Sequence, residues 1–127
     1  MRDLKRNDRN RLEIGDLMDS EHPVVFFYRN PTTEEIVRYS RECYDIKGDT
    51  MTPIVSKKID LVLAVLTGIG DDCFGFDGQP LSSEEGKPGY RADWKELLRD
   101  VGARYLMPAA VTIFENVSVK TGPFASS

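Results

Sequence analysis

Apolar and polar positions change their rhythm several times along the chain, and each change marks an element. Leu12-Glu13-Ile14 alternates, Gly15-Asp16 punctuates, and Asp19-Ser20-Glu21-His22 is a polar break. Pro23-Val24-Val25-Phe26-Phe27-Tyr28 follows, a β-branched and aromatic run that fits a strand. A proline suits the first residue of a strand, which need not donate to the ladder. Leu12–Ile14 and Val24–Tyr28 are therefore expected to pair antiparallel. A two-stranded ribbon is marginal alone, so its apolar face must rest on helices.

The period then shifts to three and four. Asn30-Pro31-Thr32-Thr33-Glu34-Glu35 has the form of a capping box: the Thr32 hydroxyl accepts an orphan N–H and Glu35 reaches back to the cap. Glu34 and Glu35 also sit where the helix dipole favours negative charge. Ile36, Tyr39, Cys43 and Ile46 continue the spacing, with Val37 and Tyr44 beside them, and predict a helix to about Lys47, stopped by Gly48. Thr52-Pro53 reads as the cap and first residue of a second helix, which runs through Ile54, Val55, Ile59 and the apolar run Leu61–Leu66 to Gly68. Ser56, Lys57, Lys58 and Asp60 give its first half a polar face. The second half is apolar all round, which implies either the central core helix or a surface that a partner protein covers.

Gly68 to Gly89 is a long connection with six glycines and two prolines. Asp77-Gly78 favours a tight hairpin between Cys73–Phe76 and Gln79–Leu81, and Pro80 limits the second strand to an edge. A third helix is predicted from Asp93, with Trp94, Leu97, Leu98 and Val101 on one side and Gly102 interrupting it. Pro108 permits a new start, and Ala109–Phe114 forms a last helix or a strand. The expected fold class is mainly α: a small helical domain over residues 12–120 with a short N-terminal antiparallel β unit. Residues 1–11, with five bases against two acids, read as a flexible basic arm, and 121–127 as a flexible tail.

Composition narrows the function classes. The 127 residues carry a formal charge of −4, with 40% hydrophobic and 30% charged residues, as in an ordinary globular protein. Mild acidity argues against a nucleic-acid binder held by phosphate neutralisation. Cys43 and Cys73 are the two cysteines, a thin framework for a secreted domain and more in keeping with reduced thiols. The start lacks the apolar stretch of a signal peptide, and the run Ile59–Leu66 is far short of a membrane span, so the expected location is the cytoplasm.

Catalytic chemistry finds little support. His22 is the lone histidine, and no serine or cysteine beside it stands in an elbow motif. Asp71, Asp72 and Asp77 suggest a hard-cation loop but lack its alternating oxygens and distal glutamate; turn chemistry accounts for them. Gly68-Ile69-Gly70 lacks the third glycine of a dinucleotide fingerprint. No enzyme activity, cofactor or metal is expected. Phe74, Phe76 and Trp94 lie near the acidic, glycine-rich segment and offer a binding face, against the alternative that they fold back onto the helices.

One set of motifs resembles a known family. Arg29-Asn30-Pro31-Thr32-Thr33-Glu34-Glu35 after an aromatic strand, an apolar helix ending in Thr67-Gly68, and Gly70-Asp71-Asp72 with Phe76-Asp77-Gly78-Gln79-Pro80-Leu81-Ser82 together resemble the tail assembly chaperones of long-tailed bacteriophages, over about residues 12–115. The basic N-terminal arm and the Gly102 and Pro108 interruptions depart from that pattern. The resemblance implies a small, mainly helical, non-enzymatic protein of a phage or prophage, acting in the host cytoplasm. Such a protein coats the tape measure protein until the tail tube polymerises around it. Ile59, Val62, Leu63, Leu66, Phe74, Phe76 and Trp94 are the expected partner-binding residues. The major tail protein and a second copy of the chain are further candidate partners. The alternatives are another tail structural or completion protein, or a general protein-interaction domain.

Overall fold

The computed structural model describes residues 9–16, 19 and 21–115. In chain order they form β1 (Asn10–Ile14), β2 (Val24–Tyr28), α1 (Thr33–Glu42), β3 (Tyr44–Lys47), β4 (Thr50–Pro53), α2 (Val55–Val65), β5 (Leu66–Ile69), β6 (Gly75–Phe76), β7 (Gln79–Pro80), α3 (Trp94–Val101) and α4 (Ala103–Glu115). The fold is therefore α+β and not mainly α: the described residues hold four helices and seven strands in three sheets.

β1 and β2 pair antiparallel with Leu12 opposite Phe26 and Ile14 opposite Val24, as the alternation requires. β5 joins the free side of β2, giving the order β1-β2-β5. That third strand is a correction, because the second helix was expected to run to Gly68. Leu66 instead leaves the helix with ψ 132°, and Ile69 comes to lie opposite Phe26. Gly70 continues the same approach: its N–H donates to Val25 O at 2.8 Å, and a Cβ there would stand 2.7 Å from the Val25 Cβ. A side chain does not fit so close to β2.

The capping box of α1 is complete. Glu35 N–H donates to the Thr32 hydroxyl at 3.2 Å, and Thr32 N–H donates to the Glu35 carboxylate at 2.9 Å. The helix then stops at Glu42, five residues before the expected end. Tyr44–Lys47 turns back on Thr50–Pro53 through Gly48, whose φ of +60° is the left-handed region. The helical spacing Cys43–Ile46 was thus coincidental: Cys43 is buried, while Ile46 lies on a hairpin and is 65% exposed. For the same reason Thr52-Pro53 caps nothing. Both residues belong to β4, and the N-cap of α2 is Ile54, with no side-chain hydrogen bond.

α2 is the central core helix. Ile59, Leu61, Val62, Leu63 and Val65 are buried, and α4 packs along it through Leu106, Ala109 and Ala110. α4 runs unbroken through Pro108, so that residue starts no new element. The missing N–H at Pro108 costs one intrahelical hydrogen bond, which burial of Leu106, Ala109 and Ala110 offsets. β1 takes in Asn10 and Arg11 from the expected basic arm. Residues 1–8 of that arm and 116–127, with the expected tail, lie outside the described residues. Among the described residues, no helix is long and apolar enough to cross a membrane.

Candidate functional site

Five of the seven expected partner-binding residues are inside the fold. Ile59, Val62, Leu63 and Leu66 are buried by the chain itself, and Trp94 is only 8% exposed at the start of α3. The apolar second half of α2 therefore has its cover in α4, α1 and α3, and within Leu61–Val65 Ala64 alone is exposed.

Phe74 and Phe76 are placed differently, by the β6–β7 hairpin. Asp77 and Gly78 adopt φ of 52° and 75°, the paired left-handed conformation of a tight hairpin turn. Leu81 N–H donates to Phe74 O at 2.8 Å and closes the hairpin base. Phe74 packs against Phe26 at 5.9 Å and edge-on to Tyr105 at 5.5 Å, so one side of its ring is core. Phe76 is half-buried, with the Arg91 guanidinium 4.5 Å from its ring centre. Arg91 also clasps Asp93 with two hydrogen bonds of 2.9 and 3.1 Å. That clasp holds the Asp93 carboxyl below its ordinary value and occupies it, so Asp93 stands at the N-cap of α3 without capping through its side chain.

Between this hairpin, α3 and the first turn of α4 lies an apolar cleft of about 70 Å³, lined by Phe74, Phe76, Leu97, Val101, Gly102 and Tyr105. Val101 is 80% exposed at its rim. Small-molecule sites usually measure about 300–1,000 Å³. This cleft is of side-chain size and suits one anchoring apolar residue of a partner.

Leu97, Val101 and Tyr105 were not singled out as site residues. The signal was the spacing Leu97–Val101 followed at once by Gly102. A residue in the last turn of a helix that ends there has no following turn to cover it. A second exposed apolar pair, Ile46 and Met51, lies directly cross-strand on the β3–β4 hairpin, with Met51 at 59% exposure.

The other groups weighed from sequence are held apart. His22 pairs with Asp19 at 2.8 Å, and Asp71 pairs with Lys87 at 2.9 Å. Asp72, with φ of 60°, and Asp77 serve turns. Cys43 is buried, which pushes its thiol up, while the Cys73 sulfur accepts from Val25 N–H at 3.4 Å; the two are not bridged. Among the described residues, no three His, Cys, Asp or Glu side chains converge as metal ligands would.

Lys58 corrects the amphipathic reading of α2. It is buried, not solvated: its Nζ donates to the Tyr44 hydroxyl at 2.7 Å and to Glu115 at 3.3 Å. Tyr39 and Tyr44 also donate to the Glu115 carboxylate. Burial alone would lower the Lys58 ammonium and raise the Glu115 carboxyl. The shared hydrogen bonds outweigh it, raising the first and lowering the second. Every polar atom in the cluster is satisfied, so it acts as a structural tie.

Comparison with protein-family models, with characterised proteins and with solved structures gave no match to this chain.

Proposed function

We propose that this protein is a tail assembly chaperone of the long-tailed bacteriophage type, a binding protein that keeps the tape measure protein soluble before the tail tube polymerises. The observation that carries the reading is the open apolar cleft of Phe74, Phe76, Leu97 and Val101. Two of the residues expected from sequence line it, and Val101 stands almost bare at its edge. A long helical client presents apolar residues at spacings of three and four, and a small cleft on a rigid hairpin–helix corner takes one of them at a time. A protein that binds the unassembled client and not its aggregate holds it in solution by mass action. The acids between Asp71 and Asp100 supply solubilising charge around the bound segment.

The test is co-expression with a tape measure fragment that is insoluble alone. Buried Trp94 and half-buried Phe74, whose ring packs on Phe26 and Tyr105, are poor probes because their loss disturbs the core, so the informative variants are Phe76→Asp and Val101→Asp. Both are expected to leave the thermal melt within a few degrees of wild type and to abolish recovery of soluble fragment. Full solubilisation by both variants overturns the assignment of the cleft, and failure of the wild type to solubilise any such fragment overturns the function.

A further inference from the structure

The three-stranded sheet ends on β1, which is hydrogen-bonded on one side only, to β2, among the described strands. An edge strand offers a row of N–H and C=O groups as a template for another strand, and proteins that must avoid this blunt the edge with charges, prolines or bulges. The charges on β1 are of both signs, so they oppose a second copy of the strand in some registers and attract it in another. Arg11 and Glu13, of opposite sign, share its outward face 2.7 Å apart, each about half exposed.

That pattern is self-complementary. Two β1 strands run antiparallel about a two-fold axis at Leu12 set Arg11 of each copy opposite Glu13 of the other. A slip of two residues sets Arg11 opposite Arg11 or Glu13 opposite Glu13, and a slip of one turns the buried face outward. Only one register is electrostatically favoured.

Beside the same edge, a groove of about 460 Å³ runs between β1 and α4, lined by Glu13, Ile14, Asp16, Arg104, Tyr105 and Pro108. Tyr105 donates to Asp16 at 2.9 Å, and Arg104 pairs with the same carboxylate at 3.4 Å. Val111, one helical turn beyond Pro108, is 47% exposed. Strand pairing thus sets this groove, part apolar and part charged, against the second copy.

We propose that this edge is a homodimer interface: β1 pairs antiparallel with β1 of a second copy, extending the sheet to β5-β2-β1-β1-β2-β5. Such an isologous contact closes on itself and stops at two chains. It uses β1 and the outer face of α4 and does not depend on the client reading of the Phe76–Val101 cleft.

Charge exchange tests it. Sedimentation of the full chain is expected to show its mass rising with concentration from 14.4 kDa toward twice that value. Arg11→Glu and Glu13→Arg each convert two attractive cross-strand pairs into repulsive ones and are expected to weaken self-association by about tenfold or more. Both positions are exposed, so circular dichroism melts at concentrations too low for self-association should not move. An equimolar mixture of the two variants restores opposite charges at every pair and should recover the dimer. A wild type that stays monomeric at the highest concentration reached overturns the proposal. So do variants that dimerise as wild type does, or a mixture that stays monomeric.

Discussion

Arg29 and Glu35 do more at the residue scale than a surface ion pair. Both terminal guanidinium nitrogens donate to the Glu35 carboxylate, at 2.7 and 2.8 Å, while the Glu35 carboxylate also closes the capping box. Arg29 N–H donates to Val65 O at 3.0 Å, so the pair joins the start of α1 to the end of α2. The Arg29 hydrogen bonds lead in holding the Glu35 carboxyl down, from 4.5 to about 2. Between those values the unfolded chain binds a proton that the folded chain does not. The stability from this group is therefore fully present above pH 4.5 and is lost as pH falls toward 2. Discounted for partial exposure, it amounts to about 2 kcal/mol. Glu35→Gln is expected to lower stability by that amount at neutral pH in urea titrations, and to bring the variant and wild-type curves together near pH 2.

Among elements, the same economy recurs where Lys58 of α2 gathers Tyr39 of α1, Tyr44 of β3 and Glu115 of α4. The Lys58 ammonium also lies 4.2 Å from the centre of the Tyr44 ring. Tyr39 in turn stacks on Phe114 with ring centres 4.7 Å apart. Three helices and a strand are thus registered by one cation. Removing it leaves a void beside the Tyr39 and Tyr44 rings and takes the main counter-charge from the partly exposed Glu115 carboxylate, a loss smaller than that of a fully buried pair. Lys58→Ala is expected to destabilise by about 2–3 kcal/mol, lowering the melting midpoint by several degrees. Lys57→Ala, one residue away and exposed, should change it little; equal effects of the two would refute the tie.

At the scale of the whole molecule, the net charge of −4 at neutral pH disperses the chain, while its exposed Val101, Ile46 and Met51 invite association. The calculated isoelectric point is 5.0. Repulsion between copies vanishes there while the apolar surface remains. Turbidity against pH at fixed concentration is expected to peak close to 5 and to clear on either side. A flat profile would show that net charge has no part in keeping the protein dispersed.

How much of this was legible depends on how far apart the deciding residues lie. The antiparallel pairing of β1 with β2, the Thr32–Glu35 capping box, the Asp77-Gly78 hairpin and the end of α3 at Gly102 were all readable, because a few adjacent residues settle each of them. Of the candidate site, Phe74 and Phe76 were readable as aromatics on a turn, whereas Val101 looked like one more inward helix residue.

What the sequence determined alone is local geometry: where a helix is capped, where a turn needs a left-handed residue, which face of a strand is apolar. Only the tertiary structure decided that α1 stops at Glu42, that Leu66–Ile69 is a third strand, and that Lys58 is buried while Val101 is bare. Each of those outcomes turns on contacts with residues distant in the chain. Burial is a relation between such residues, and the free energy it supplies outweighs the few tenths of a kcal/mol, roughly, that local propensity offers at a single position.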